Sequence, residues 1–236
     1  MAKFHFVEDY ERLVRDLIAS HPLDEAMELA VGGRYELIGV IEKNILKHVG
    51  LRDGMAVFDL GCGSGRLAWA LGQEFQIEYC GADLVPALLD YARTKSPKNY
   101  RFLVNHSFKI PSDTGTVDIA SAFSVFTHLL PQETYLYLEE MHRVLKSGGH
   151  LVCSFLEFSE PDHWPVFQST VEGQRHQTNP HLNTFLERSA LKLWAEKLGY
   201  ETPAFIDSAA APYGGHALGQ SIAILRKPVP PGEERQ

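Results

Sequence analysis

The run Met55-Ala56-Val57-Phe58-Asp59-Leu60-Gly61-Cys62-Gly63-Ser64-Gly65-Arg66-Leu67-Ala68-Trp69-Ala70-Leu71 changes its period within a few residues. Met55 to Phe58 is a short apolar run, glycines fall at 61, 63 and 65, and apolar residues return at helical spacing from Arg66. A strand that passes through a glycine turn into a helix is the repeating unit of a parallel α/β sheet. Downstream the alternation continues. Residues 77–82, 101–104 and 117–122 have strand character, residues 86–93 form a helix with Pro86 in its first turn, and residues 132–146 form a longer helix. Ser147-Gly148-Gly149 is expected to stop that helix, and the nearly continuous apolar run 150–155 suits a parallel strand buried on both faces. A helix over 189–198, closed by Gly199, and strands near 204–206 and 221–225 complete the pattern.

Upstream, residues 8–49 carry apolar residues three and four apart, including Leu13, Leu17, Ile18, Leu37, Ile38, Ile41, Ile45 and Leu46. His21-Pro22 and Gly32-Gly33 divide this stretch into about three helices. The expected fold is therefore α/β: a doubly wound, mostly parallel Rossmann-like sheet with helices on both faces and a helical N-terminal cap. Residues 1–50 form the cap, 51–228 the sheet domain, 156–188 a lid-like insertion and 229–236 a Pro- and charge-rich flexible tail.

A chain of 236 residues buries enough surface to fold without disulfides or metals. The net charge of -8 argues against a nucleic-acid groove, which leaves a basic footprint. No apolar run approaches the roughly 20 residues of a membrane span, and the N-terminal residues lack an apolar signal core. Cys62, Cys80 and Cys153 lie in or beside apolar runs without C-x-x-C spacing, which points to buried thiols in a reducing, cytoplasmic setting. No cluster of carboxylates or histidines has metal spacing, so no metal site is expected.

Ligands of open α/β sheets bind outside the carboxyl ends of the strands, near the point where strand order reverses. Glycines at 61, 63 and 65 let a ligand approach the backbone, and Asp83 ends the second strand where a carboxylate can accept from ribose hydroxyls. The dinucleotide fingerprint would place glycine at 66, where this chain has Arg66. Asp59, two positions before the first glycine, repels a pyrophosphate but attracts an amino group or a sulfonium. The charge pattern thus favours an amino-acid-bearing cofactor over a nicotinamide dinucleotide.

VFDLGCGSGRLAWAL resembles the first motif of the class I S-adenosylmethionine-dependent methyltransferases, and CGADLVPALLDYAR resembles their second. The similarity extends through RFLVNHSFKIP, VDIASAFSVFTHLL and YLYLEEMHRVLKSGGHLVCSF, or about residues 55–155. The resemblance implies that Asp59, Gly61 and Gly63, with Cys62 between the glycines, surround the methionine moiety. It also implies that Asp83 holds the ribose and that Leu84 packs on the adenine. His106, Ser107 and Phe108 stand where the family reads the adenine edge, often with an aspartate that this chain replaces by His106. Phe123 and Ser124 are implied at the methyl end of S-adenosylmethionine.

Methyl transfer from a sulfonium demands alignment and desolvation of the nucleophile, and a general base only where the acceptor must lose a proton. His128, after the fourth strand, is a candidate base, and equally a residue that starts the next helix. His163, Trp164, His181 and Asn183 in the insertion, and Tyr35 in the cap, are candidate acceptor contacts. For each of these the alternative is an ordinary solvated or core position; Tyr213-Gly214-Gly215-His216 fits an ordinary turn. The resemblance carries no N-P-P-Y or D-P-P-Y tetrad, which disfavours transfer to a base or amide nitrogen. A small-molecule acceptor, methylated on oxygen, nitrogen or carbon, is expected. Two other readings use the same fold: a nicotinamide-dependent oxidoreductase, and a methyltransferase-like binding protein without catalysis.

Overall fold

The computed structural model describes residues 7–177, 183–211 and 216–232. Strand β1 (Ala56–Leu60) lies mid-sheet, with parallel β2 (Glu78–Asp83) on one side and parallel β4 (Val117–Ala122) on the other. Beyond β2 comes β3 (Arg101–Val104), and beyond β4 comes β5 (Leu145–Phe155), both parallel. Two strands close the far edge: β7 (Ser221–Arg226) runs antiparallel to β5, and β6 (Ala204–Ile206) antiparallel to β7. The order β3-β2-β1-β4-β5-β7-β6 reverses direction between β1 and β4. That switch point is where ligands of such sheets bind.

Alternation along β1 shows how both faces are buried. Val57 turns to a core layer shared with Ile41 and Ile45 of α3 (Tyr35–His48), Leu67 and Leu71 of α4 (Arg66–Gly72) and Leu89 of α5 (Pro86–Lys95). Phe58 and Leu60 turn to the opposite layer, with Leu138 and Met141 of α6 (Pro131–Val144) and Leu191 of α8 (Arg188–Leu198). The period of two in the strand and of 3.6 in the helices thus places helices on both faces. Two further helices, α1 (Val7–Ser20) and α2 (Leu23–Ala30), pack Val14, Met27 and Ala30 against Val85, Leu88 and Tyr91 at the start of α5. They stand over the carboxyl edge of the sheet.

Two elements differ from the sequence expectation. The helix before β5 ends at Val144, and Leu145 to Gly149 already belong to the strand. Gly148 and Gly149 exchange backbone hydrogen bonds with Lys227, and the β4 register shifts between Val117 and Ile119. Gly148 has φ +75°, so the glycine pair forms a strand irregularity instead of a helix stop. The insertion also holds a helix, α7 (Trp164–His176), entered through a 3-10 turn at Pro161–His163. None of its residues is buried, so it lacks the apolar stripe by which helices announce themselves.

Helix α3 packs against α4 at Gly39, where a Cβ would overlap the carbonyl oxygen of Arg66. Backbone cannot yield there as a flexible side chain can. Gly39→Ala is expected to lower stability by about 2 kcal/mol, the typical cost of overpacking, in urea unfolding followed by circular dichroism. Unchanged stability would show that the helices part freely.

Candidate active site

A cavity of about 420 Å³ opens at the switch point, within the usual range for small-molecule sites. Its floor is the turn after β1. Gly61, Gly63 and Gly65 all have φ between +53° and +87°, the left-handed region that glycine enters without steric cost. A Cβ on Gly61 would overlap the Val125 side chain, and one on Gly63 would sit 2.8 Å from Val31 Cγ1. Chain direction and close approach therefore both require glycine at these two positions.

Two of the buried carboxylates that face the cavity come from the strands. Asp83 ends β2, where its Oδ2 accepts from Gly63 N–H (2.9 Å) and its Oδ1 from Val85 N–H (3.0 Å). Burial raises its pKa, against the pull of those N–H groups. A carboxylate has about four acceptor sites, so further sites remain after these two bonds. Asp59 accepts from the Tyr79 hydroxyl (2.6 Å) and from Ser121 Oγ (2.7 Å). Loss of hydration outweighs those bonds and pushes its pKa up to about 7.

The cap supplies the roof. Tyr10 and Leu13 of α1, Ala30 and Val31 at the end of α2, and Glu42 of α3 line the cavity. Arg66 ties roof to floor: its Nη2 lies 2.6 Å from Glu42 Oε1, and its Nη1 donates to Val31 O (2.7 Å). Ser64 Oγ donates to Met27 O (3.0 Å), and the Tyr35 hydroxyl to Ser64 O (3.0 Å). The residue that breaks the dinucleotide fingerprint is thus one of those that hold the cap.

Of the expected cofactor contacts, Asp59, Gly61, Cys62, Gly63, Asp83, Leu84, Phe123 and Ser124 all line this cavity, as does His128. His106, Ser107 and Phe108 do not; Asn105 lines it in their place. Asn105 N–H continues the β3 ladder to Asp83 O, and its side chain closes a tight turn by accepting from Ser107 N–H. That turn leaves His106 and Ser107 exposed, while Phe108 packs edge-on against Tyr137.

The acceptor candidates are also placed elsewhere. Tyr35 is half-buried between Trp69 and Tyr91, where its ring and hydroxyl serve the cap. His163 is buried, with Nδ1 accepting from Glu157 N–H, and Trp164 lies on the surface against Phe167. None of the three lines the cavity. His181 and Tyr213 to Gly215 lie outside the described residues, and exposed His216 is not among the lining residues. The described insertion residues pack at the end of β5, through a Leu156–Phe185 bridge and a Thr184-to-Thr127 hydrogen bond. Over the cavity stand the N-terminal helices instead.

Gln220, Glu42 and Tyr10 line the cavity without having been marked in the sequence. Each reaches it from an element remote in sequence. Only the unusual Glu at the buried position 42 of an otherwise apolar helix stripe could have signalled one of them.

A glycine-floored cavity at the switch point, with an acid at the end of β2, defines a Rossmann-like domain built for a nucleoside-bearing cofactor. Residues 58–153 match the family model described as a methyltransferase domain, in line with the resemblance to the class I S-adenosylmethionine-dependent methyltransferases. It is 27% identical over 166 residues to a demethylmenaquinone methyltransferase of Lactococcus lactis, covering 67% of this chain and 64% of that one. It is 32% identical over 139 residues to another of that name from Staphylococcus aureus, covering 57% of this chain and 55% of the relative. The matches thus span less than two thirds of the length of these curated relatives. In fold it is similar to a Haemonchus contortus phosphoethanolamine N-methyltransferase solved with S-adenosylhomocysteine, with TM-score 0.67 and 15% identity, over 97% of this chain and 61% of that one. Among the described residues no helix is long and apolar enough to cross a membrane.

Proposed function

We propose that this protein transfers a methyl group from S-adenosylmethionine to a small-molecule acceptor by in-line displacement. The observation that carries the reading is the convergence of Asp59, Gly61, Gly63, Asp83, Phe123 and Ser124 on one cavity under a helical cap. The donor set fits the cofactor: Asp83 keeps acceptor capacity for vicinal hydroxyls, the glycine floor admits a close backbone approach, and Asp59 offers negative charge to a cationic centre. When bound, S-adenosylmethionine supplies an electrophilic methyl group.

The chain's own tasks are to align the acceptor, to exclude water and, for an acidic acceptor, to take a proton. Phe123, Val125, Leu129 and Tyr137 give the cavity apolar walls, which desolvate a nucleophile. His128 lines the same cavity and is the base in this reading, through its imidazole. The two relatives are named for demethylmenaquinone as acceptor, and the apolar walls of this cavity support a small-molecule acceptor here. The three free, buried cysteines suit a reducing compartment, so we place the activity in the cytosol, with residues 1–50 acting as the cap of a 51–228 catalytic domain.

Calorimetric titration with S-adenosylmethionine, S-adenosylhomocysteine and NADH tests the reading. Micromolar binding of the two adenosyl ligands, and none of NADH, is expected. Binding of NADH alone, or of nothing, would overturn it.

A further inference from the structure

The seventh strand runs antiparallel, so its beginning lies at the same edge as the carboxyl ends of the parallel strands. Gln220, immediately before β7, is thereby brought beside Ser124, 96 residues earlier, and both line the cavity. The hydrogen bonds fix which way the amide faces. Ser154 Oγ is fully buried; it accepts from Ser124 N–H (2.7 Å), so its own proton goes to Gln220 Oε1 (2.6 Å). Gln220 Nε2 then donates one N–H to Ser124 Oγ (3.1 Å). Nε2 carries two hydrogens, and the second has no partner among the described residues.

Ser124 holds φ +58°, an uncommon conformation for a residue with a side chain. Such strain persists only where the surroundings over-determine it, and here the Ser124–Ser154–Gln220 ring does so. The polar ring sits within a largely apolar wall that includes Phe123, Val125 and Leu129, with His128 four residues beyond Ser124. A donor held rigid in a low-dielectric cavity stabilises negative charge on an oxygen more than a solvated one does.

We infer that Gln220 is an acceptor-binding residue whose second Nε2 hydrogen selects hydroxylated aromatic or enolic acceptors by stabilising their oxyanion. This rests on the methyltransferase reading and narrows its substrate class. In the step it serves, the acceptor O–H bond breaks, the proton passes to the His128 imidazole, and the electron pair stays on the oxygen that Gln220 Nε2 contacts. Amine acceptors, which offer no oxyanion, gain nothing from this donor.

The probe is 4-nitrophenol, whose phenol and phenolate forms differ in absorbance, titrated into the protein saturated with S-adenosylhomocysteine. The bound probe is expected to ionise about one pH unit lower than free probe, a tenfold shift of its equilibrium. Gln220→Leu should abolish that displacement while leaving S-adenosylhomocysteine affinity within about twofold, a spectroscopic effect that a merely structural residue would not produce. Gln220→Glu, which keeps the acceptor for Ser154 but loses the donor, should act likewise and serves if the leucine variant does not fold. Absence of probe binding, an unshifted probe in the wild type, or a shift that survives both substitutions would overturn the inference with the cofactor reading intact. Failure of S-adenosylhomocysteine to bind the wild type would instead remove the parent reading and this one with it.

Discussion

Asp83→Asn should weaken S-adenosylhomocysteine binding by about a hundredfold in calorimetry. Hydrogen bonds to a charged acceptor are worth about 1.5–3 kcal/mol each, and a ribose offers two hydroxyls. The native carboxylate already accepts Gly63 N–H and Val85 N–H through different oxygens, so its position at the end of β2 is fixed before any ligand arrives. Asparagine retains one acceptor oxygen and turns an NH2 group toward the other N–H. The glycine turn is then held less firmly, as well as lacking charge. Since Gly63 is itself part of the cavity floor, the two effects act together on the same ligand. The thermal midpoint should also fall, so affinity must be compared well below it with circular dichroism confirming the fold. An unchanged affinity would mean that Asp83 serves the turn alone, and the proposed placement of the ribose would be wrong.

How much of this could be anticipated depended on whether a feature was local. The strand–turn–helix around Gly61, Gly63 and Gly65 announces itself because positive φ at three nearby positions leaves little choice of residue. The mostly parallel sheet with helices on both faces follows from the alternation of strand and helix periods, and the N-terminal helices from helical spacing before Val49. The Gly148-Gly149 pair misled because a helix C-terminus and a strand irregularity both favour glycine; only pairing with Lys227, far along the chain, separates them. His106 lies outside the cavity lining for a related reason. Its neighbour Asn105 folds the turn back on itself through Ser107, and a side-chain-to-backbone bond of that kind leaves no periodic trace. The roof and the β7 wall were invisible for want of a local signal: Glu42 meets Arg66 across 24 residues, and Gln220 meets Ser124 across 96.

Arg66 illustrates how a departure from a motif can be informative. Its presence excludes the third glycine of a dinucleotide turn, and the structure gives it a partner that explains the choice. Glu42 is buried, and loss of hydration raises its pKa, with Arg66 pulling in the opposite direction. The pair lies against the same cavity that Asp59 faces, and Glu42 in turn adds to the cost of ionising Asp59. Charge in the cavity is therefore set by three carboxylates and one guanidinium, and the least settled of these is Asp59.

That makes the affinity for S-adenosylmethionine a function of pH. Asp59 has its pKa pushed up to about 7 chiefly by loss of hydration, despite bonds from Tyr79 and Ser121. On the proposed placement an ionised Asp59 attracts the sulfonium and ammonium of the ligand and a protonated one does not, so binding below pH 7 is expected to release a proton. Affinity is expected to rise about tenfold between pH 6 and pH 8, with proton release visible as a dependence of the binding heat on buffer ionisation enthalpy. Asp59→Asn should flatten the profile at its acid limit. Stability of the unliganded protein runs the opposite way. Because the folded state holds the Asp59 proton more tightly than the unfolded state does, this contribution is complete below about pH 4 and is lost as pH rises through about 7. Asp59→Asn removes that loss, since its amide can accept from Tyr79 and donate to Ser121 Oγ. The unliganded variant should then melt higher than the wild type at pH 8 while binding S-adenosylmethionine more weakly. If both proteins instead show the same flat binding profile, the carboxylate does not meet the cationic part of the ligand, and Asp59 is a fixture of the β1 core alone.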